Sequence, residues 1–309
     1  MHALSVDLEE YFQVTNFEAV ISPQQWDRIP SRVEYATHRL LDLFEAAGAR
    51  ATFFALGWVA ERHPKLLQEI AQRDHEIACH GYGHRMLGDL GPKEFRADLR
   101  RARAAIEDAS GVRPVGYRAP SFSITRDTAW ALAVLAEEGF EYDSSIFPVR
   151  HPRYGIPDFE RGIVRLELGE DRSILENPPT TLRVGPWNLP VAGGAYLRLL
   201  PGAVFRFGFR RATRAGRPGL LYVHPWEIDP GQPRVRARWP GRAIHYCNLD
   251  RTEARLVRLL RAGGFAPLAD VLRQQLATGG VPSRPLDRYR MGHPNRSVGA
   301  RPVEAAEHA

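Results

Sequence analysis

Lysine is nearly missing from this chain of 309 residues: Lys65 and Lys93 stand alone, and every other basic side chain is arginine. With a formal net charge of +6, such a surface suits acidic glycans, phosphate or a membrane surface. The arginines are nevertheless spread along helical segments and the C-terminal stretch. They form no continuous basic stripe with an aromatic platform, which argues against nucleic acid as a partner. Cysteine is equally scarce. Cys79 and Cys247 have no CxxC spacing and read as ordinary reduced thiols. No run approaches the roughly 18 apolar residues of a bilayer span, so no integral membrane segment is expected. The opening Met1-His2-Ala3-Leu4-Ser5-Val6-Asp7 lacks a basic n-region and soon meets acid. It does not read as a signal peptide, and the expected location is cytoplasmic. The glycine-bearing stretch Leu189-Pro190-Val191-Ala192-Gly193-Gly194 lacks the GxGxxG spacing of a nucleotide cradle, and no internal repeat is present.

What is present is ordinary in bulk: 44% apolar and 25% charged residues, enough for a sizeable core. The length fits one large α/β barrel or two smaller domains. Helical periods over residues 31–47 and 92–110, and a helix opened by Pro64 with Leu66, Leu67, Ile70 and Ala71 along one side, alternate with short apolar runs at 3–7, 51–56, 76–79 and 115–118. A helix capped by Thr125 is expected through Glu138, followed by a strand end at 140–145. Alternating strands and helices imply a parallel sheet with right-handed crossovers. Residues 146–200 break the rhythm with proline, glycine and short strand-like runs, and read as a β-rich insertion shaping a pocket wall. A helix over 201–215 and a strand over 219–223 resume it. After an arginine-rich loop, two helices close the fold at 250–262 and 268–276. The expected organisation is one distorted (β/α)-type barrel of about seven parallel strands over 1–277, with a C-terminal extension at 225–277. A disordered tail is expected at 278–309.

The chemistry-bearing residues cluster at strand ends. Asp7, Glu9 and Glu10 place three carboxylates within four positions, a density that calls for a nearby cation. His80-Gly81-Tyr82-Gly83-His84 sets two imidazoles four apart, and two glycines between them disfavour a helix. A loop turning both rings toward one point suits zinc, which still needs a third protein ligand. Arg118, Asp143 and His224 also follow expected strands. In a parallel barrel all these positions share the C-terminal rim, where active sites are built.

In this order the residues resemble the NodB-type polysaccharide deacetylases of carbohydrate esterase family 4, over roughly residues 3–224. Ser5-Val6-Asp7-Leu8-Glu9-Glu10 stands where that family has Thr-Phe-Asp-Asp. His80-Gly81-Tyr82-Gly83-His84 is similar to its HxxxH motif, Arg118-Ala119-Pro120 to its Arg-x-Pro, and Tyr222-Val223-His224 to its Leu-x-His. The extended acidic motif, Tyr142-Asp143-Ser144-Ser145-Ile146-Phe147-Pro148 and the Leu-Pro-Val-Ala-Gly-Gly stretch are most similar to the exosortase/PEP-CTERM-associated subfamily, found with exopolysaccharide loci.

The resemblance implies hydrolysis of N-acetyl groups on the amino sugars of a glycan, in exopolysaccharide biosynthesis. Its cofactor would be zinc or another divalent transition metal, held by His80, His84 and a carboxylate. Asp7 would be the general base, Arg118 its partner, and His224 the acid protonating the leaving amine. A backbone N–H at or near Tyr11 would face the oxyanion. Position 8 is Leu, so the second aspartate of the family motif is absent. Alternation puts Glu9 on the side of Asp7, making Glu9 the expected ligand and Glu10 the alternative. The family's Asp-Trp is also missing, leaving Asp143 or Glu176 to tune His224. Tyr11, Pro120, Phe122, Asp143 and Trp226 are the expected substrate contacts. Trp187, Tyr196 and Phe147 line the sugar site or fill the core. Peripheral association with polysaccharide-synthesis machinery is the expected partnership. The alternatives are an allantoinase-like cyclic-amide hydrolase on the same fold and a non-catalytic basic glycan-binding protein.

Overall fold

Short apolar runs that alternate with amphipathic helices can bury both faces only inside a parallel sheet, and they do so here. The computed structural model describes residues 1–290. Its strands are β1 (His2–Leu8), β2 (Thr52–Ala55), β3 (Glu76–Cys79), β4 (Gly116–Tyr117), β5 (Tyr142–Asp143), β6 (Val164–Gly169), β7 (Arg172–Glu176), β8 (Thr181–Val184), β9 (Trp187–Pro190), β10 (Leu220–Val223), β11 (Phe265–Ala266) and β12 (Ser283–Pro285). Seven neighbours run parallel in the order β10-β1-β2-β3-β4-β5-β7. Their C-terminal ends therefore share one rim.

The ring closes without direct pairing of β7 and β10. Residues 191–193 lie along β10, where Tyr222 N donates to Ala192 O at 2.7 Å, and Val191 N donates to Thr180 O at 3.0 Å, four residues past β7. Gly193 makes this approach possible. Its φ is +151°, and a Cβ there would lie 1.7 Å from Tyr222 O.

Three expectations change. The insertion expected at 146–200 contributes two strands to the sheet, since β7 is its seventh parallel strand and β6 pairs antiparallel with β7. Only β8 and β9 stand apart, as a hairpin. The helix expected from Thr125 spans only Ala131–Glu137. Before it, Thr128 Oγ1 accepts from Thr125 N at 2.8 Å and donates to Ser123 O at 2.7 Å, which satisfies those backbone groups in a turn. The tail expected from 278 starts with order: β12 pairs parallel with β6, and Leu286 and Tyr289 are buried. The remainder of that expected tail, 291–309, lies outside the described residues.

Helices Val33–Ala46, Pro64–Gln72 and Pro92–Ser110 turn their apolar sides onto the sheet through Leu40, Phe44, Leu67, Ile70, Leu99 and Ile106, all fully or almost fully buried. Among the described residues no helix is long and apolar enough to cross a membrane.

Candidate active site

The rim of the barrel gathers side chains from strand ends far apart in sequence. Asp7 sits at the end of β1, where Arg118 Nη1, just past β4, donates to Asp7 Oδ1 at 2.6 Å. The arginine is fully buried and its fork is filled. It also donates to Ser5 Oγ at 2.8 Å, Ser144 Oγ at 2.9 Å and Ser144 O at 3.1 Å, with its guanidinium 4.0 Å over the Phe54 ring. The Asp7 carboxylate is thereby given a buried countercharge and a fixed direction.

Two residues on, the chain returns Glu9 to the same side. Its Oε2 lies 2.8 Å from His84 Nε2 and its Oε1 accepts from Trp226 Nε1 at 3.1 Å. Burial pushes the Glu9 pKa up, but the surrounding imidazoles of His84, His224 and His80 outweigh it and bring it to about 2. Glu10 points the other way. It accepts from Ser31 Oγ and from the Arg32 and Val33 amides at 3.0 and 3.2 Å, capping helix Val33–Ala46.

His80 follows β3, and the turn at Gly81, φ +76°, redirects the chain so that His84 comes back beside it. The two ring centroids are 5.5 Å apart. His80 Nδ1 is 2.8 Å from the carbonyl oxygen of Arg118. A carbonyl only accepts, so Nδ1 carries the proton and Nε2 keeps its lone pair. Burial lowers the His80 pKa to about 4, leaving the ring neutral. Glu9, His80 and His84 each offer one ligand atom, all within 4.8 Å of one another. His84 Nδ1 is buried without a hydrogen-bond partner, and Glu9 Oε2 has only the His84 ring beside it. Two imidazoles and one carboxylate converging on one point, with a buried unpartnered imidazole nitrogen, fit a divalent transition metal, with the His80–carbonyl bond fixing the tautomer as metal-binding histidines require.

His224 follows β10 and faces both acids, its Nε2 3.8 Å from Asp7 Oδ2 and 3.7 Å from Glu9 Oε1. The residue that orients it is Glu227, whose Oε2 accepts from His224 Nδ1 at 2.9 Å. Arg198 Nε donates to the other Glu227 oxygen at 2.8 Å. Burial alone lowers the His224 pKa, yet Glu227, then Glu9 and Asp7, raise it to about 9. The ring stacks on Trp226, centroids 5.0 Å apart.

Neither residue first assigned to tune His224 reaches it. Asp143 Oδ1 accepts from Ser145 Oγ at 2.5 Å and Glu176 Oε1 from Ile146 N at 3.0 Å. Burial pushes both carboxyls up, and Asp143 pushes Glu176 further. They are a buried pair at the ends of β5 and β7. Glu227 was missed, although His224-Pro225-Trp226-Glu227 carries the i, i+3 spacing of a helix start with a backward-reaching acid. Arg198 had no local signal.

A cavity of about 180 Å³ opens over these groups. Asp7, Glu9, His80, His84 and His224 line its floor, and Phe122, Tyr154, Gly194, Tyr222, Trp226 and Ile244 its walls. Of the expected substrate contacts, Phe122 and Trp226 reach it. Tyr11, Pro120 and Asp143 are not among the lining residues: Tyr11 turns into the core, its hydroxyl donating to Pro30 O at 3.3 Å. Phe147 is core, and Trp187 is exposed on the β8–β9 hairpin. His84, Ser121 and Phe122 hold left-handed φ values of 52–54° without being glycine, backbone strain concentrated at the cavity.

Residues 24–142 match the family model described as polysaccharide deacetylase, and residues 144–273 match a second model described only as a domain of unknown function. Asp7 and Glu9 precede both, while His224, Glu227 and Arg198 fall in the second. The barrel runs unbroken across that division, since β5 pairs with β7. The chain is 34% identical over 110 residues to the peptidoglycan deacetylase-like protein FGM2 of Gibberella zeae, covering 35% of this chain and 32% of that one. It spans about a third of the length of the curated relatives it matches. The crystal structure of a Mycobacterium smegmatis protein described as a polysaccharide deacetylase superposes with a TM-score of 0.58 at 24% identity, covering 91% of both chains. Puue allantoinase superposes with the same TM-score at 17% identity, over 90% of both chains. These two likenesses establish the fold.

Proposed function

We propose, for a chain whose residues 24–142 match a family model described as polysaccharide deacetylase, that the cleft is a metal-dependent hydrolase removing N-acetyl groups from amino sugars of a polysaccharide. The observation that carries this reading is the convergence of Glu9, His80 and His84 within 4.8 Å, with Asp7 and His224 beside them.

Glu9, His80 and His84 would hold the metal, zinc in our reading. When bound, it supplies Lewis acidity toward the acetamide carbonyl and lowers the pKa of water toward 7. The chain's own residues handle the protons. Asp7, paired with and oriented by Arg118, takes the proton of the attacking water as general base. His224, held charged by Glu227, delivers a proton to the departing amine, a step that amide cleavage needs because an amide anion is a poor leaving group. Trp226 fixes the imidazole plane by stacking and Glu9 by hydrogen bonding, while Phe122 and Tyr222 flank the space for the sugar. The extended acidic motif, Tyr142-Asp143-Ser144-Ser145-Ile146-Phe147-Pro148 and the Leu-Pro-Val-Ala-Gly-Gly stretch support placement in the exosortase-associated branch, in exopolysaccharide biosynthesis at the cytoplasmic side, with peripheral attachment to the synthesis machinery.

The test is metal content together with acetate release from N-acetylated oligosaccharides. One metal per chain, with release abolished by chelation and restored by zinc, is expected. A metal-loaded protein that cleaves cyclic amides but frees no acetate from any glycan would instead assign the allantoinase-like reaction.

A further inference from the structure

Beside the cleft lies an arginine-bearing loop that the hydrolytic chemistry does not use. Arg234, Arg236, Arg238 and Arg242 are exposed, and among the described residues none has a carboxylate partner. Half-buried Val235 and Ala237 alternate with the first three and turn inward. Trp239, in the same loop, is 84% exposed, the most exposed large apolar side chain among those described. Arg234 stacks over the Tyr246 ring at 4.3 Å, and with Trp239, Arg242 and Tyr246 it borders a depression next to the cavity; the exposed indole itself has no stabilising role in the fold.

The loop is nonetheless firmly rooted, and its root is the catalytic centre. His245 stacks on Trp226 at 4.2 Å, and Trp226 stacks on His224. Arg198, which holds Glu227, also donates to the carbonyls of Ile244 and His245 at 2.6 and 2.7 Å. Ile244 lines the cavity itself. Gly241 backs onto Asn16, another lining residue, and Arg153 also lines the cavity, its guanidinium donating to Asn16 Oδ1 at 3.4 Å.

We propose that the cleft takes an anionic polysaccharide, and that Arg153, Arg234, Arg236, Arg238, Arg242 and the Trp239 indole form the subsite for its carboxylate- or phosphate-bearing units. Guanidinium forks match both anions in paired geometry, and an exposed indole offers a flat face to a sugar ring. This rests on the reading of the cleft as a glycan deacetylase.

The experiment measures binding of the metal-loaded full chain to three N-acetylated oligosaccharides of equal length. They are neutral chitopentaose, a hyaluronan oligomer carrying carboxylates, and an oligomer of N-acetylglucosamine 1-phosphate. Single-stranded DNA serves as a polyanion control. At low salt at least one anionic glycan is expected to bind roughly tenfold more tightly than chitopentaose, and the advantage should shrink as salt rises. R236S/R238S should erase most of that advantage and W239A should weaken binding of the favoured glycan. R206S/R210S, which removes equal charge from exposed positions of helix Gly202–Arg214, should leave it intact. The anion that binds more tightly identifies the source. Equal binding of neutral and anionic glycans overturns the proposal. So does loss of the advantage in R206S/R210S, or DNA binding as tightly with the same arginine dependence. Acetate release is read separately: the expected binding pattern with no release from any glycan would sink the deacetylase reading and leave an anionic-glycan site.

Discussion

Glu227 accepts from His224 Nδ1 at 2.9 Å while its other oxygen is held by Arg198. This places a full negative charge behind the imidazole that faces Asp7. Burial raises the Glu227 pKa, but His224 and Arg198 together bring it to about 2, so the carboxylate stays ionised across the working range. Its effect on His224 is the reverse, holding the ring protonated up to about 9.

The sign of the pH dependence follows. A general acid must be protonated, so the rate should fall as pH rises through the His224 pKa. Glu227→Gln removes the charge that raises this pKa, and the alkaline limb of kcat should move to lower pH, with kcat reduced roughly tenfold or more near neutrality. A pH–rate profile with an unmoved alkaline limb would show that Glu227 does not act on the acid.

His80→Ala and His84→Ala should each strip the metal and with it all acetate release, measured by metal analysis of the purified variants. Glu9→Gln should weaken metal binding markedly. Glu10→Gln should keep the metal and lower stability by about 1 kcal/mol, because its carboxylate caps a helix. Metal loss in the Glu10 variant alone would reverse the ligand assignment.

Asp7→Asn should retain metal and lose about 10²- to 10⁴-fold in kcat. Arg118→Ala leaves Asp7 buried without its countercharge and should cost about 3–5 kcal/mol in folding free energy, read as a fall in the urea midpoint. Full activity in Asp7→Asn would rule it out as the base.

Gly193→Ala should destabilise the fold by more than about 1 kcal/mol, since the new methyl meets Tyr222 O and φ is +151°. Calorimetry would test this. An unchanged Tm would mean that residues 191–193 do not hold the ring closed.

The motif residues were legible because each sits within a local pattern. An apolar run ends in acid at Asp7, the histidine spacing brackets two glycines, and alternation assigns Glu9 and Asp7 to one side. The choice between Glu9 and Glu10 followed from the two-residue period of extended chain, and the structure turns Glu10 onto the Arg32 and Val33 amides. Asp143 falls outside the cavity because proximity to a motif in sequence does not say which way a side chain turns once a strand ends.

The sequence by itself determined the parallel α/β order, the strand-end positions of Asp7, His80, His84, Arg118 and His224, and the pairing of histidines with acid that suits a metal. These depend on local period and spacing, which short-range sterics and burial dictate. Only the tertiary structure decided that β7 completes the barrel, that Ser283–Pro285 joins it, and that Arg198 reaches Glu227. It also brought the arginine loop to the cleft. These depend on contacts between segments tens of residues apart, which form only when the ring closes and which no local pattern encodes.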